Sequence, residues 1–274
     1  MVRSFFTILV FLAGVFLLAV GVMCFNAFLF NKKTKKEIRS MKSEIQSLPQ
    51  MSEPNNDLPA PVSRYLQFSG VFDQKPVQYA FTKRKGRFRM NPRKAWMSLR
   101  ANTYHITNKP GFIRDATMDA GFVSFCVREK YMDGKANVLG KLFGAFTVMN
   151  ENNKVVDRSS LLRYLADLPW LPSAFLSPNI NWEPIDEIAS RATISEGDLS
   201  VSAVFFFEPS GAISHLYAKD LYRDNTTEDW SAVFRNYVET DGYLTPANAE
   251  YTWNLDSGDF TYEEFEVFGV EFEQ

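Results

Sequence analysis

The residues able to do chemistry crowd between Leu161 and Asp186, where LLRYLADLPWLPSAFLSPNINWEPID carries one Arg, three carboxylates and two Trp in a proline-broken run. Arg163 and Asp167 stand four apart, opposite a stripe of Leu161, Leu162, Leu165 and Leu168, so on a helix they are neighbours able to pair. Glu183 is held extended by Pro184. One reading makes this stretch the wall of a pocket. Arg163, Tyr164, Trp170, Trp182 and Glu183, with Tyr104 from an earlier strand, are then the candidate ligand-binding residues. Arg163 or Glu183 would orient a polar head. A second reading makes it a plug that fills a sheet, with Arg163 bonding loop carbonyls or bridging to Glu183. A third makes it an enzyme acting on a membrane-proximal substrate through Arg163, Glu183 and Asp186, although a hydrolase also requires two carboxylates at a defined separation.

Signatures of the common catalytic machines are missing. There is no G-x-S-x-G elbow, phosphate-cradling glycine loop, H-E-x-x-H or paired-cysteine motif. The chain has two His, His105 and His215, so no metal site and no cofactor are expected. His215 reads as a solvated or cross-strand residue, and His105 follows Tyr104 near a Lys109-Pro-Gly turn. Asn225-Thr226-Thr227 fits a glycosylation sequon, which matters only in a secretory eukaryotic setting.

The elements that must position these residues begin with 26 residues, Phe5 to Phe30, that hold no charge. About 20 apolar residues cross the ~30 Å core of a bilayer. The run is too long for a signal-peptide core and lacks a small-x-small site at its far end. Met23 before Cys24 does not suit a lipoprotein signal. A single-pass anchor over residues 1–31 is therefore expected at the cell membrane, with the bilayer itself as a partner. Lys32, Lys33, Lys35 and Lys36 follow at once and suit contact with anionic headgroups. Counting Arg39 and Lys42, the six bases of residues 32–48 place the domain on the cytoplasmic side by the positive-inside rule, whereas a signal-anchor would export it. Ile38, Met41, Ile45 and Leu48 recur at helical spacing, so a stalk continues the anchor. Pro49 to Pro59 reads as a linker, which closes a juxtamembrane segment at 32–57.

Residues 58–274 form the remaining domain. Leu58-Pro-Ala-Pro-Val-Ser-Arg-Tyr-Leu66 opens it as a short helix with Pro at its start. Strand-like alternation then runs from Val77, with a turn expected at Lys83-Arg84-Lys85 and a hairpin at Asp133-Gly134. A helix over Asp157–Leu168, capped by Ser159 or Ser160, interrupts the strands before they resume at Ala192. Aromatics are 15% of the chain and Phe alone is 25 residues, enough for a large core. The expected fold is α+β: a curved antiparallel half-barrel of about ten strands around a short helical insertion, preceded by one transmembrane helix.

The net charge of −2 hides an asymmetry. Residues 74–114 hold eleven bases and no acid, whereas 224–274 hold thirteen acids and one base. Cross-strand pairing between the two segments explains this; a basic 74–114 face turned to a membrane or partner is the alternative, proper to a structural or interaction protein. No nucleic-acid partner is expected.

The motifs LPAPVSRYLQFSG (58–70), GRFRM (86–90), WM (96–97), PGF (110–112), the 161–186 block, WSAVFRNYV (230–238) and DGYLTPANAEYTWNL (241–255) resemble a bacterial family of uncharacterised proteins over the whole domain. The chain departs from that pattern at Ser98, where Pro is usual, and at Asn102, where Glu is more common. The second departure weakens any carboxylate mechanism on that strand. The resemblance implies no activity, cofactor or substrate. In shape alone the domain is similar to the half-barrels of periplasmic lipoprotein carriers, which hold acyl chains. The composite expectation is a non-enzymatic module, tethered to the membrane, for a lipid or other apolar or amphipathic ligand.

Overall fold

The computed structural model describes residues 2–45, 58–223 and 226–273. The expected linker lies almost wholly outside the described residues. Helix α1 (Val2–Ile45) is one continuous rod of 44 residues, about 66 Å at 1.5 Å per residue. Its first part is long and apolar enough to cross a membrane. From Phe30 onward a buried stripe appears at Phe30, Thr34, Met41 and Ile45, the spacing of one helical face. That face packs on the outside of the domain: Met41 and Ile45 join Tyr79, Phe81, Ile106, Ile113 and Met132 in one apolar cluster. Arg128 to Glu37 at 3.3 Å, Lys42 to Glu273 at 2.6 Å and Lys109 to Glu44 add ion pairs along the contact. The stalk is therefore a docked element, with Lys32, Lys33, Lys35 and Lys36 left exposed on its free side.

After the short helix α2 (Ala60–Phe68) come, among the described residues, thirteen strands in one sheet, all antiparallel. The first six are β1 (Tyr79–Phe88), β2 (Met97–Ile106), β3 (Gly111–Ala120), β4 (Val123–Met132), β5 (Lys135–Leu142) and β6 (Phe146–Glu151). Helix α3 (Lys154–Ala166) and two 3₁₀ turns, Leu168–Trp170 and Pro172–Leu176, follow. The rest are β7 (Ile180–Pro184), β8 (Ala189–Glu196), β9 (Leu199–Phe207), β10 (Ile213–Arg223), β11 (Thr226–Thr240), β12 (Tyr243–Leu255) and β13 (Gly258–Glu273). Spatial order runs from β6 down to β1, then β13 down to β7. The first and last strands thus pair in the middle of the sheet, and α3 carries the chain from one edge to the other across the concave side. The sheet curls around it far enough for Tyr131 of β4 to donate a 2.6 Å hydrogen bond to Glu196 of β8.

The half-barrel is the expected architecture, with thirteen strands in place of about ten. Lys83-Arg84-Lys85 is no turn: β1 runs straight through it. The apolar run after Asp133-Gly134 divides into β5 and β6 at Phe143 and Gly144, both with positive φ (52° and 67°). The Asn-Trp-Glu segment near Pro184 forms β7. Helix α3 starts earlier than expected because Asn153 caps it, accepting from the amides of Val155 and Val156 at 3.0 Å. Ser159 and Ser160 face inward instead. The leucine stripe is buried as its spacing requires.

The β1–β13 seam tolerates no bulk at Gly86. A Cβ there would lie 2.0 Å from the Glu264 carbonyl oxygen and 2.6 Å from the Phe265 Cα. Gly86→Ala should cost about 3 kcal/mol or more, or prevent folding. Gly121→Ala, at φ +62° with nothing within 4 Å, should cost about 1–2 kcal/mol. Thermal unfolding of the full chain in detergent checks the pair; equal losses at both sites would speak against a tight seam.

Candidate functional site

On the concave face, alternation along the strands should present only apolar side chains, yet β1, β3 and β4 each present a charged residue there, as β13 does at Glu263. In β1 the inward phase reads Ala80, Thr82, Arg84; in β3 it reads Phe112, Arg114, Ala116; in β4 it reads Val127, Glu129, Tyr131. These meet the C-terminal end of α3, where Asp167 is the capping residue. The Asp167 carboxylate accepts from Arg84 and Arg114 at 2.9 Å each, from Tyr251 at 3.2 Å, and lies 3.0 Å from His105 Nε2. Beside it, Glu129 accepts from Ser160 at 2.8 Å and Arg163 at 2.9 Å, with Arg114 at 3.9 Å.

The charge states follow from these contacts. Burial opposes the Asp167 charge, but Arg84 and Arg114 hold its carboxyl well below the usual carboxylate range. Glu129 is likewise lowered against its burial by Arg163 and Arg114. His105 is pushed down by burial, with Arg84 and Arg114 adding to the effect and Asp167 opposing it. The ring is therefore neutral and donates from Nε2. Glu263 of β13 behaves differently: burial raises it, and Arg114, Arg84 and Arg163 only partly oppose this. Of the three carboxylates beside Arg84, Arg114 and Arg163, Glu263 is therefore the one whose charge is least stabilised.

Above this floor lies a cavity of about 790 Å³ between α3 and the sheet. Leu99, Ala101, Ala116, Met118, Phe125 and Val127 wall one side, Trp230, Trp253 and Tyr262 the other, and Val148 and Met149 stand near one end. Arg114, Glu129, Arg163, Asp167 and Glu263 reach it from below. The volume falls in the range of small-molecule sites, roughly 300–1,000 Å³, and apolar walls with a few convergent polar groups are what such sites contain.

Of the residues expected from sequence, Arg163 lines this cavity. Tyr164 is buried beside it, its hydroxyl donating to the Ile106 carbonyl at 2.8 Å. Trp170 lies under the floor with the Arg84 guanidinium 4.5 Å from its ring centre. Trp182 stacks on Phe175 at 5.2 Å in the core. Tyr104 sits on the outer face, stacked on Phe81 at 4.7 Å and packed against α1. Glu183 is exposed and 3.7 Å from Arg191, because Trp182 takes the inward phase of β7. Asp186 is exposed and accepts from the Ile188 amide at 2.9 Å. Arg163, Glu183 and Asp186 do not converge. Nor do Arg163 and Asp167 pair: each is drawn to a strand partner. His215 is exposed and stacks on Phe206 at 4.2 Å. The basic 74–114 segment spends much of its charge inside the chain, with Lys83, Lys85 and Arg87 of β1 meeting Glu271, Glu266 and Glu264 of β13 at 3.2, 3.1 and 2.6 Å.

Fold and site together define a curved-sheet domain enclosing a ligand-sized cavity with an ionic floor. The chain belongs to the family of unknown function DUF6544, matched over residues 49–265. No curated protein matches it. Among solved structures it is similar to a LolA-superfamily protein from Nitrosomonas europaea, with 10% identity, 78% of this chain and 94% of that one covered, and a TM-score of 0.39. A putative outer membrane lipoprotein-sorting protein domain from Vibrio parahaemolyticus gives 10%, 78%, 92% and 0.43 for the same quantities. A DUF1329-family protein from Desulfovibrio piger gives 11%, 78%, 94% and 0.42.

Two outcomes follow from the ionic floor. Asp167→Asn leaves buried guanidiniums without their counter-charge and should cost about 3–5 kcal/mol in chemical unfolding. The lowered His105 has the sign of a group neutral when folded. Its contribution is intact above the unfolded imidazole value of about 6.5 and is lost as pH falls below it, by at most about 1.4 kcal/mol per pH unit. Unfolding midpoints between pH 8 and 5.5 should therefore decline more steeply in the parent than in His105→Gln; identical slopes would exclude His105 as the cause.

Proposed function

We propose that this protein is a membrane-tethered binding module, without catalytic activity, for an amphipathic lipid. The observation that carries the reading is the cavity, whose walls are apolar and whose floor offers Arg114 and Arg163. An acyl chain suits such walls, each buried CH₂ contributing about 0.8 kcal/mol. A carboxylate or phosphate headgroup suits the guanidiniums, which bind such groups through charge-assisted and bidentate hydrogen bonds. Glu263 can accommodate that anion by taking up a proton. The apolar part of α1 supplies the tether. The dispersal of Arg163, Glu183 and Asp186 is what disfavours the enzyme reading.

Full-length protein purified in mild detergent should release an anionic amphipathic lipid on extraction and mass spectrometry. Ala116→Trp fills the cavity and should lower the lipid content at least tenfold with the unfolding temperature retained. Arg163→Gln should weaken the anionic lipid by roughly tenfold, the scale of one lost charged hydrogen bond. Parent and Ala116→Trp protein carrying equal, background lipid would sink the proposal.

A further inference from the structure

We infer that the cavity exchanges lipid sideways with the bilayer that holds α1, through an apolar mouth formed by the β3–β4 and β5–β6 turns. The inference rests on the lipid-binding reading and adds the route of entry. Its first support is depth. A Cβ built on Gly144, in the β5–β6 turn, would lie 3.2 Å from the Cβ of Ala27 and 3.5 Å from its Cα. Ala27 belongs to the uncharged run that ends at Phe30, so this turn touches α1 at the level of its apolar segment. Phe30 itself is buried, with Lys141 Nζ 5.8 Å from its ring centre.

The second support is what the turns display. Phe122 is 101% exposed, Phe146 56% and Val148 59%. The Phe143 amide donates to the Ser124 carbonyl at 2.7 Å, which ties the two turns into one tip. In water these side chains would be an exposed apolar patch; beside a membrane-crossing helix they meet acyl chains and interfacial headgroups. Just beyond the apolar run, Lys32, Lys33, Lys35 and Lys36 are exposed at the height where headgroups lie. A protein partner would have to reach this tip through the lipids surrounding α1, which is why the bilayer is its natural occupant.

The third support is continuity. Val148 belongs both to the exposed tip and to the cavity lining, and Met149, Phe125 and Met118 continue inward from it. An acyl chain at the tip therefore finds an apolar track along Val148, Met149, Phe125 and Met118 toward the ionic floor, with Lys141 of β5 and Glu151 of β6 lining the cavity beside it.

The test uses the full chain in phosphatidylcholine vesicles containing a minority of phosphatidylglycerol with brominated acyl chains. Phe122→Trp should add fluorescence that the bromines quench. Val238→Trp, exposed near the opposite end of the sheet, should add fluorescence that they do not. No added quenching at position 122, or equal quenching at both, overturns the inference. A second arm follows the rate at which an acyl-diazirine phosphatidylglycerol, mixed into the vesicles, photolabels cavity peptides. Phe122→Ser combined with Phe146→Ser should slow labelling roughly tenfold while leaving unchanged the binding of a short-chain phosphatidylglycerol presented as monomers. Labelling at the parent rate overturns the mouth and leaves the lipid reading standing. Failure of the parent to bind the short-chain lipid removes both.

Discussion

One buried carboxylate organises this domain. Asp167 ends α3, where the helix dipole already concentrates negative charge, and it lies beyond the reach of bulk water. Such a group is stable only if donors are brought to it, and they come from β1, β2, β3 and β12. Arg84 is itself clasped between the rings of Trp170 and Phe265, 4.5 and 4.8 Å from its guanidinium carbon. The convergence fixes where α3 sits over the seam between the two halves of the sheet. The open space to one side of the helix is the consequence: side chains committed to Asp167 and Glu129 cannot also fill it.

The outer face is governed by a different balance. Its charges are numerous and mostly exposed, and each cross-strand pair there is worth little. Their effect is on register: a ladder of bases on β1 facing acids on β13 favours this pairing over a slip by one residue, which would turn the arginine of the floor outward. The stalk of α1 uses the same face through Met41 and Ile45. It binds the strands that wall the cavity from behind, so the orientation of the domain relative to the apolar segment is set by packing and not by the linker.

Architecture was largely readable from sequence, and the site largely was not. Period-two alternation located most strands, and the stripe Leu161, Leu162, Leu165, Leu168 located the helix, because burial of a repeating face is a local property. Lys83-Arg84-Lys85 misled for the same reason: three consecutive bases look like a turn when a strand's two faces are not considered separately. Reading β1 through that point puts Arg84 on the apolar phase, alongside Arg114 and Glu129 on theirs. A charge on the buried phase of a strand was thus the available signal for the floor. Its partner could not be found that way, since Asp167 lies 83 residues from Arg84 along the chain and only the curl of the sheet joins them. The aromatic residues Trp170, Trp182 and Tyr164 drew attention by composition, and their places in the core answer to packing around the helix.

The pairing of β1 with β13 also bears on how the chain is made. The strand synthesised first finds its neighbours on one side at once, through the hairpins to β2 and β3, but its other edge waits for the last strand in the sequence. Until β13 has left the ribosome, the inward Arg84 of β1 lacks the cover of Phe265 and α3 has no complete sheet to lie against. Contacts of such long range are slow to form and leave an unpaired edge in the meantime. The apolar stretch of α1 emerges long before this closure. Its docked stalk, lying across the outside of β1 to β4, is therefore in position to shield the early half-sheet while the second half is still being translated.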